Sequence, residues 1–350
     1  MSQPVALENE PKLTVPGMPA WIVPLVFRLH DAVRNVVRQQ LVAAQPDDLR
    51  AIAHPGAGDV SFGIDVPAEM ILEQVLALAP EPIVVVAEGF GTRVFPPGSS
   101  AADARLRLIV DPLDGSRELM YQKRSAYVLS GVALERGDAT NLGDIAFGVL
   151  TEVPPMVQSM GVRAWAIRGL GAFERLWDLG TLAPVGPERQ LRSSNAPTIK
   201  GGFATFTHYF PGTHAPMGIL ADEVLQSVLG PVVQGEAAAF DDCYLSTGGQ
   251  LYLLASGRYR LVVDARPLLG RSNSGRTRTP LCAHPYDLAG GLLIAEEAGA
   301  TIVDLDGEPL RYPLDTDTDC GFVGYANDAI RSEVWPSLRA SLSGLSTASA

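Results

Sequence analysis

Asp111 and Asp114 stand three residues apart at the end of an apolar run, Leu108-Ile109-Val110, that reads as a buried strand. Pro112 fixes φ after the first aspartate, and Gly115 tolerates a sharp turn after the second. Both carboxylates can therefore converge on one point just off the strand end. A helix beginning at Gly115-Ser116 would aim its first N–H groups at the same point. Two acids beside amide donors suit a divalent cation that holds a phosphate. A type I turn with aspartates at its corners suits the same residues, because Asp-Gly is common in turns. The segment alone leaves both readings open.

Three more acids occupy comparable places. Glu88 ends the β-branched run Ile83–Ala87, and neighbouring strands that end alike would bring Glu88 and Asp111 to one sheet edge. A solvated charge after a strand is the other reading of Glu88. Asp65, in Ser61-Phe62-Gly63-Ile64-Asp65-Val66-Pro67, lies just before a helical pattern, and Asp287, after Pro285-Tyr286, starts another. Either is also a good N-cap. None of the five acids decides anything singly.

The elements that must position them follow from apolar spacing. Ile22, Leu25, Val26, Leu29, Val33, Val36, Val37 and Leu41 predict an amphipathic helix over 18–44. A loop or short hairpin at 54–64, a helix at 67–79, a strand at 83–87 and a loop at 91–104 come next. Strands are expected at 126–134 and 144–150, then a hairpin over 162–176 that turns at Gly169-Leu170-Gly171. Pro184, Pro187 and Pro197 make 181–198 loop-rich, the expected boundary between two halves. Beyond it lie a strand at 202–206, helices at 218–229 and 246–256, and a strand at 259–264. A polar loop, 265–284, leads to a helix at 287–298 and a strand at 301–303. The expected organisation is a flexible tail at 1–17, an α/β half at 18–185 carrying the aspartate pair, a second α/β half at 186–335 completing the site, and a small-residue tail at 336–350. Irregular alternation of strands and helices points to a layered α/β or α+β protein.

A net charge of −12 argues against nucleic acid and anionic membranes as partners. It leaves room for anionic small molecules, since bound cations invert a local field. Cys243, Cys282 and Cys320 form no CxxC pair and leave an odd one over, which fits a reduced compartment. His30, His54, His208, His214 and His284 are scattered, so a zinc site is not expected. The first residues lack the apolar core of a signal peptide, and no window approaches a membrane span. A soluble, cytoplasmic protein is expected.

Taken together the motifs resemble the inositol monophosphatase superfamily of magnesium-dependent, lithium-sensitive phosphatases, which also holds fructose-1,6-bisphosphatases and nucleotide bisphosphate phosphatases. The resemblance lies in an acid after a strand (Glu88), DPLDGS at 111–116, and Tyr286-Asp287 opening a helix that ends in Glu297-Ala298-Gly299. The turn Gly169-Leu170-Gly171-Ala172-Phe173 and the early segment 58–65 ending in Asp65 add to it, so that it covers about 30–310. It implies an αβαβα five-layer sandwich of two closely packed halves with the active site between them. It also implies that Glu88, Asp111 and the Leu113 carbonyl hold one Mg²⁺, and that Asp111, Asp114 and Asp287 hold a second. Ser116, where the family usually has threonine, would orient the attacking water with Asp65 as its partner. Gly115 and Ser116 would hold phosphate oxygens, and Ser246 and Thr247 would contact substrate. The family often has Glu-Glu at the first metal position; Gly89 here puts a third ion, and lithium inhibition, in doubt.

Val263-Asp264-Ala265-Arg266 resembles a sequence of archaeal-type enzymes active on inositol phosphates and fructose bisphosphate. Arg266, Arg271, Arg276 and Arg278, in what reads as an inserted loop, are candidates for contact with a second anionic group of the substrate, and Lys123-Arg124 for the same part. A solvated loop or subunit contact is the other reading. The implied activity is hydrolysis of a small phosphate ester by a homodimer. Inositol monophosphate and fructose 1,6-bisphosphate are the leading substrates, and a nucleotide bisphosphate comes third. A non-catalytic metal- or phosphate-binding relative is the rival.

Overall fold

Unbroken apolar runs belong in a sheet covered on both faces, and the computed structural model places them there. It describes residues 13–55, 60–269 and 281–348. The chain opens with α1 (Ile22–Ala43), α2 (Pro46–Arg50), the small hairpin β1 (Ile52–Pro55) and β2 (Val60–Phe62), and α3 (Val66–Leu76). β3 (Ile83–Ala87), β4 (Gly91–Phe95) and β5 (Leu106–Asp114) follow, then the single turn α4 (Ser116–Leu119). β6 (Ala126–Leu134), β7 (Phe147–Val153), β8 (Met160–Ile167), β9 (Gly171–Asp178) and β10 (Ala183–Gln190) form a meander. The second half holds β11 (Phe203–Phe206), α5 (His214–Leu229), α6 (Thr247–Ala255), β12 (Tyr259–Asp264), α7 (Pro285–Glu297), β13 (Thr301–Val303), β14 (Phe322–Tyr325) and α8 (Asp328–Ala348).

An eight-stranded sheet runs β10-β9-β8-β7-β6-β5-β3-β4, and a four-stranded one β11-β12-β14-β13. α1 and α3 cover one face of the larger sheet; α6 and α7 lie between the two sheets; α5 and α8 close the far side. The result is the expected αβαβα five-layer arrangement. Period-two alternation divides the core between its layers. Leu106, Leu108 and Val110 of β5 pack toward α1 and α3, and Ile109 packs toward α7. Ile22, Val26, Leu29, Val33 and Val37 recur every three or four residues and form the buried stripe of α1.

α7 approaches the sheet closely because glycine faces it. A Cβ on Gly290 would stand 2.4 Å from the Val149 carbonyl oxygen and 3.0 Å from the Ser130 nitrogen, both on strand backbone that cannot yield. Gly290→Ala should therefore destabilise the fold by about 1–3 kcal/mol through overpacking. Urea denaturation checks this; an unchanged midpoint would mean the helix can be lifted off the sheet without cost.

Several segments differ from the sequence-based expectation. The loop expected at 91–104 contains β4, an edge strand whose polar Thr92 and Arg93 hide the strand pattern. The loop-rich stretch 181–198 contains β10, at the opposite edge. Its prolines are tolerated there because an edge strand pairs on one side only, and its register shifts between Val185 and Arg189. The larger sheet thus runs through residue 190, past the boundary expected at 185/186. The tail expected at 336–350 continues α8 as far as Ala348: Ile330, Val334, Leu338 and Leu342 are buried at four-residue spacing, and its small residues fill the other faces. Within the expected N-terminal tail, Val15 is buried in the core between the larger sheet and the helices α1 and α3. Residues 1–12 lie outside the described residues.

Candidate active site

The site grows from an irregularity in β5. Between Asp111 and Asp114 that strand takes three steps while β6 takes two, so Asp111 faces Leu129 and Asp114 faces Tyr127. In an unbroken strand, residues three apart point to opposite faces; one extra residue brings both to the same face. That face is the one Tyr127 and Leu129 present to the second half of the chain. Pro112, which could not donate to a ladder, sits inside the bulge. Gly115 then turns the chain into α4 at φ +89°, in the left-handed region, where a Cβ would also lie 3.0 Å from Ser246 Cβ.

Backbone and side-chain donors anchor four of the acids. Asp111 Oδ1 accepts the Leu113 N–H at 2.8 Å. Asp114 Oδ2 accepts the Ser246 hydroxyl and the Gly248 N–H, both at 2.7 Å. Asp287 is the third residue of α7, not its cap; its Oδ2 accepts the N–H of the cap residue, His284, at 2.6 Å. Asp65 does hold the cap position of α3, yet its side chain caps nothing in the helix and accepts the Phe62 N–H at 2.8 Å instead. β3 and β5 are parallel, with Ala87 opposite Val110, so Glu88 emerges beside Asp111 at one sheet edge. All five acids line a single cleft between the two halves.

One oxygen from each of Asp111, Asp114 and Asp287 lies within 4.8 Å of the others. Asp111 and Asp114 are buried at 1% and 7% exposure, too deep for water to screen three like charges. Burial, then the charges of Glu88, Asp114 and Asp287, push the Asp111 carboxyl well above the usual carboxylate range. Burial and Asp287 push Asp114 up to about 8, against the pull of its bonds to Ser246 and Gly248. Such a cluster must take up protons or a cation. Its donors are hard carboxylate oxygens, and among the described residues no imidazole lines the cleft; the set fits Mg²⁺.

Leu113, Gly115, Ser116, Thr247 and Arg266 also line the cleft; Ser246 does not. The Ser246 hydroxyl, 1% exposed, is spent inside the protein, accepting the Gly249 N–H at 2.9 Å and donating to Asp114. Arg266 lies in the wall with its donors engaged. Nε and Nη2 reach the two oxygens of Asp264 at 2.8 and 2.6 Å, and Nη1 reaches the Leu281 carbonyl at 2.6 Å. Arg271, Arg276 and Arg278 lie outside the described residues. Lys123 and Arg124 pair with Glu118 and Asp242 at 3.3 and 2.7 Å and are not among the residues that line the cleft.

Sequence reasoning missed several lining residues, Arg117, Tyr209 and Phe210 among them. Adjacency to Ser116 was the available signal for Arg117, whose guanidinium stacks 5.4 Å from the Phe62 ring and 5.6 Å from that of Phe210. Tyr209 and Phe210 stand in a loop without periodicity, which carries no such signal. Cys282 also lines the cleft; burial pushes its thiol up to about 12, which keeps it protonated.

The sequence pattern that defines the inositol monophosphatase family matches residues 64–338. The chain belongs to this family of phosphatases. Comparison with curated proteins gives no match. Solved structures share the family fold. A Leishmania major fructose-1,6-bisphosphatase is 14% identical with a TM-score of 0.66, and the match covers 95% of this chain and 100% of that one. A Pyrococcus horikoshii protein described as similar to inositol-1 monophosphatase is 17% identical (TM-score 0.60), over 91% of this chain and 98% of its own. The suppressor protein SuhB of Bartonella henselae is 18% identical (TM-score 0.60), over 92% and 98% respectively. Family membership agrees with the acids: the matched span begins one residue before Asp65 and includes the other four. Among the described residues no helix is long and apolar enough to cross a membrane.

Proposed function

We propose that the chain is a Mg²⁺-dependent phosphomonoesterase acting on a small polyol or sugar phosphate. The observation that carries this reading is the convergence of Asp111, Asp114 and Asp287 within 4.8 Å in a cleft that Asp65, Glu88 and Ser116 also line. Glu88, Asp111 and the Leu113 carbonyl would hold one ion, and Asp111, Asp114 and Asp287 a second. When bound, the two ions supply the charge that acidifies a water and neutralises phosphate oxygens.

The chain's own groups do the rest. The amides of Gly115 and Ser116 orient the phosphate. The Ser116 hydroxyl directs the attacking water and passes its proton to Asp65, whose bond from the Phe62 N–H keeps the carboxylate in place. Asp65→Asn should lower kcat by about 10²–10⁴-fold and leave Mg²⁺ affinity nearly unchanged. Steady-state kinetics with calorimetric Mg²⁺ titration checks both, and a wild-type kcat would remove Asp65 from the mechanism.

Inositol monophosphate and fructose 1,6-bisphosphate are the first substrates to try, since the two halves and their cleft follow the fold of proteins named for one or both. Phosphate release from a panel containing these, a nucleotide bisphosphate and simple sugar phosphates tests the choice. Turnover is expected on a polyol or sugar phosphate. Preference for the nucleotide would overturn the substrate class. By the same family resemblance the working form is a homodimer, and the odd number of cysteines without a CxxC pair suits the cytoplasm.

A further inference from the structure

We infer that Ser246 is a positioning residue for Asp114, so that the second half of the chain sets the Mg²⁺ affinity of the first half's aspartate. The inference rests on the metal-site reading above. Asp114 belongs to β5, whereas Ser246 and Gly248 belong to the start of α6, 132 and 134 residues further along the chain. Those two groups occupy Asp114 Oδ2, each at 2.7 Å.

The proton direction at Ser246 is fixed. Its oxygen accepts the Gly249 N–H at 2.9 Å, and its own proton goes to the carboxylate. The side chain is 1% exposed and does not reach the cleft surface, so it meets the substrate only through Asp114. Nor is there slack around it. A Cβ on Gly115 would stand 3.0 Å from Ser246 Cβ, and one on Gly249 2.7 Å from the Ser246 oxygen. The bulge of β5 and the first turn of α6 are thus packed against each other with small residues, and the Ser246 hydroxyl is the side-chain member of the polar link that the backbone amides of Thr247 and Gly248 complete. With Oδ2 held, the Asp114 carboxylate is fixed in orientation where one of its oxygens lies within 4.8 Å of those of Asp111 and Asp287. Groups that orient a ligating carboxylate in this way set metal affinity, because the ligand need not be ordered when the ion arrives.

The role differs in its consequences from the substrate contact that the family resemblance implies for Ser246. A substrate contact would raise KM for the ester and leave Mg²⁺ affinity alone. A positioning residue changes the binding of Mg²⁺ without any ester present.

The test is calorimetric titration of the full chain with Mg²⁺ alone, comparing wild type, Ser246→Ala and Ser246→Gly. Glycine is itself a favoured N-cap residue, so Ser246→Gly removes the hydroxyl with little penalty to α6 and keeps the experiment open if the alanine variant folds poorly. Thermal melts in chelator establish that each variant is folded. Both variants are expected to bind Mg²⁺ about tenfold or more weakly than wild type. Affinity within twofold of wild type in the folded glycine variant would overturn the inference while leaving the metal site standing. A wild type that takes up no Mg²⁺ would overturn the reading of the site itself, and this inference with it.

Discussion

Asp111→Asn should lower kcat at least about a thousandfold, about 4 kcal/mol of transition-state stabilisation, while making the metal-free protein more stable. The two effects have one cause. Asp111 is 1% exposed and faces the charges of Glu88, Asp114 and Asp287. Asparagine keeps the shape and an oxygen for the Leu113 N–H, but removes the charge that would bridge two ions. With no cation present, that charge only repels its neighbours, and losing it relieves the buried cluster. Phosphate release and thermal melts in chelator read the two effects separately. An active variant would remove Asp111 from the bridging position. An inactive variant that melts lower than wild type would mean the carboxylate is an ordinary structural group.

The second large effect concerns pH. Asp114 is pushed up to about 8 and Asp111 well above the carboxylate range, while both titrate near 3.8 in an unfolded chain. Between about pH 4 and pH 8 the folded, metal-free protein therefore binds more protons than the unfolded one, and its stability falls as pH rises through that window. Stability from these groups is fully present below the unfolded value and is lost as pH passes the folded one. Mg²⁺ displaces the protons, so its apparent affinity should climb across the same window, and saturating Mg²⁺ should remove most of the decline. Urea denaturation at several pH values, in chelator and in Mg²⁺, checks the pair of curves. If the chelator curve runs flat or rises to pH 8, the acids are not held together as the geometry requires.

Much of this architecture was legible from local patterns. Apolar runs such as Ile83–Ala87 could only be buried strands, and Asp65, Glu88, Asp111 and Asp287 each fell at an element's end, where side chains reach a shared edge. What the pattern could not show was convergence. Asp111 and Asp114 share a face because of a bulge that depends on β6, and Ser246 turns inward because β5 lies against the start of α6. Tyr209 and Phe210 reach the cleft from a loop whose path is set by packing alone. Edge strands β4 and β10 were illegible because a strand paired on one side needs no apolar run. The end of α8 was legible and misread: Ile330, Val334, Leu338 and Leu342 carry helical spacing through a stretch whose small residues suggest a tail.

The central claim is that the buried carboxylates are a metal site that drives phosphate ester hydrolysis. Its most direct test is phosphate release from inositol monophosphate and fructose 1,6-bisphosphate by the full chain as Mg²⁺ is titrated from chelator upward. Turnover of at least one ester should be absent in chelator and should saturate as Mg²⁺ fills the site that Asp111, Asp114 and Asp287 form. Turnover that persists in chelator, or Mg²⁺ binding without release from either ester, would contradict it.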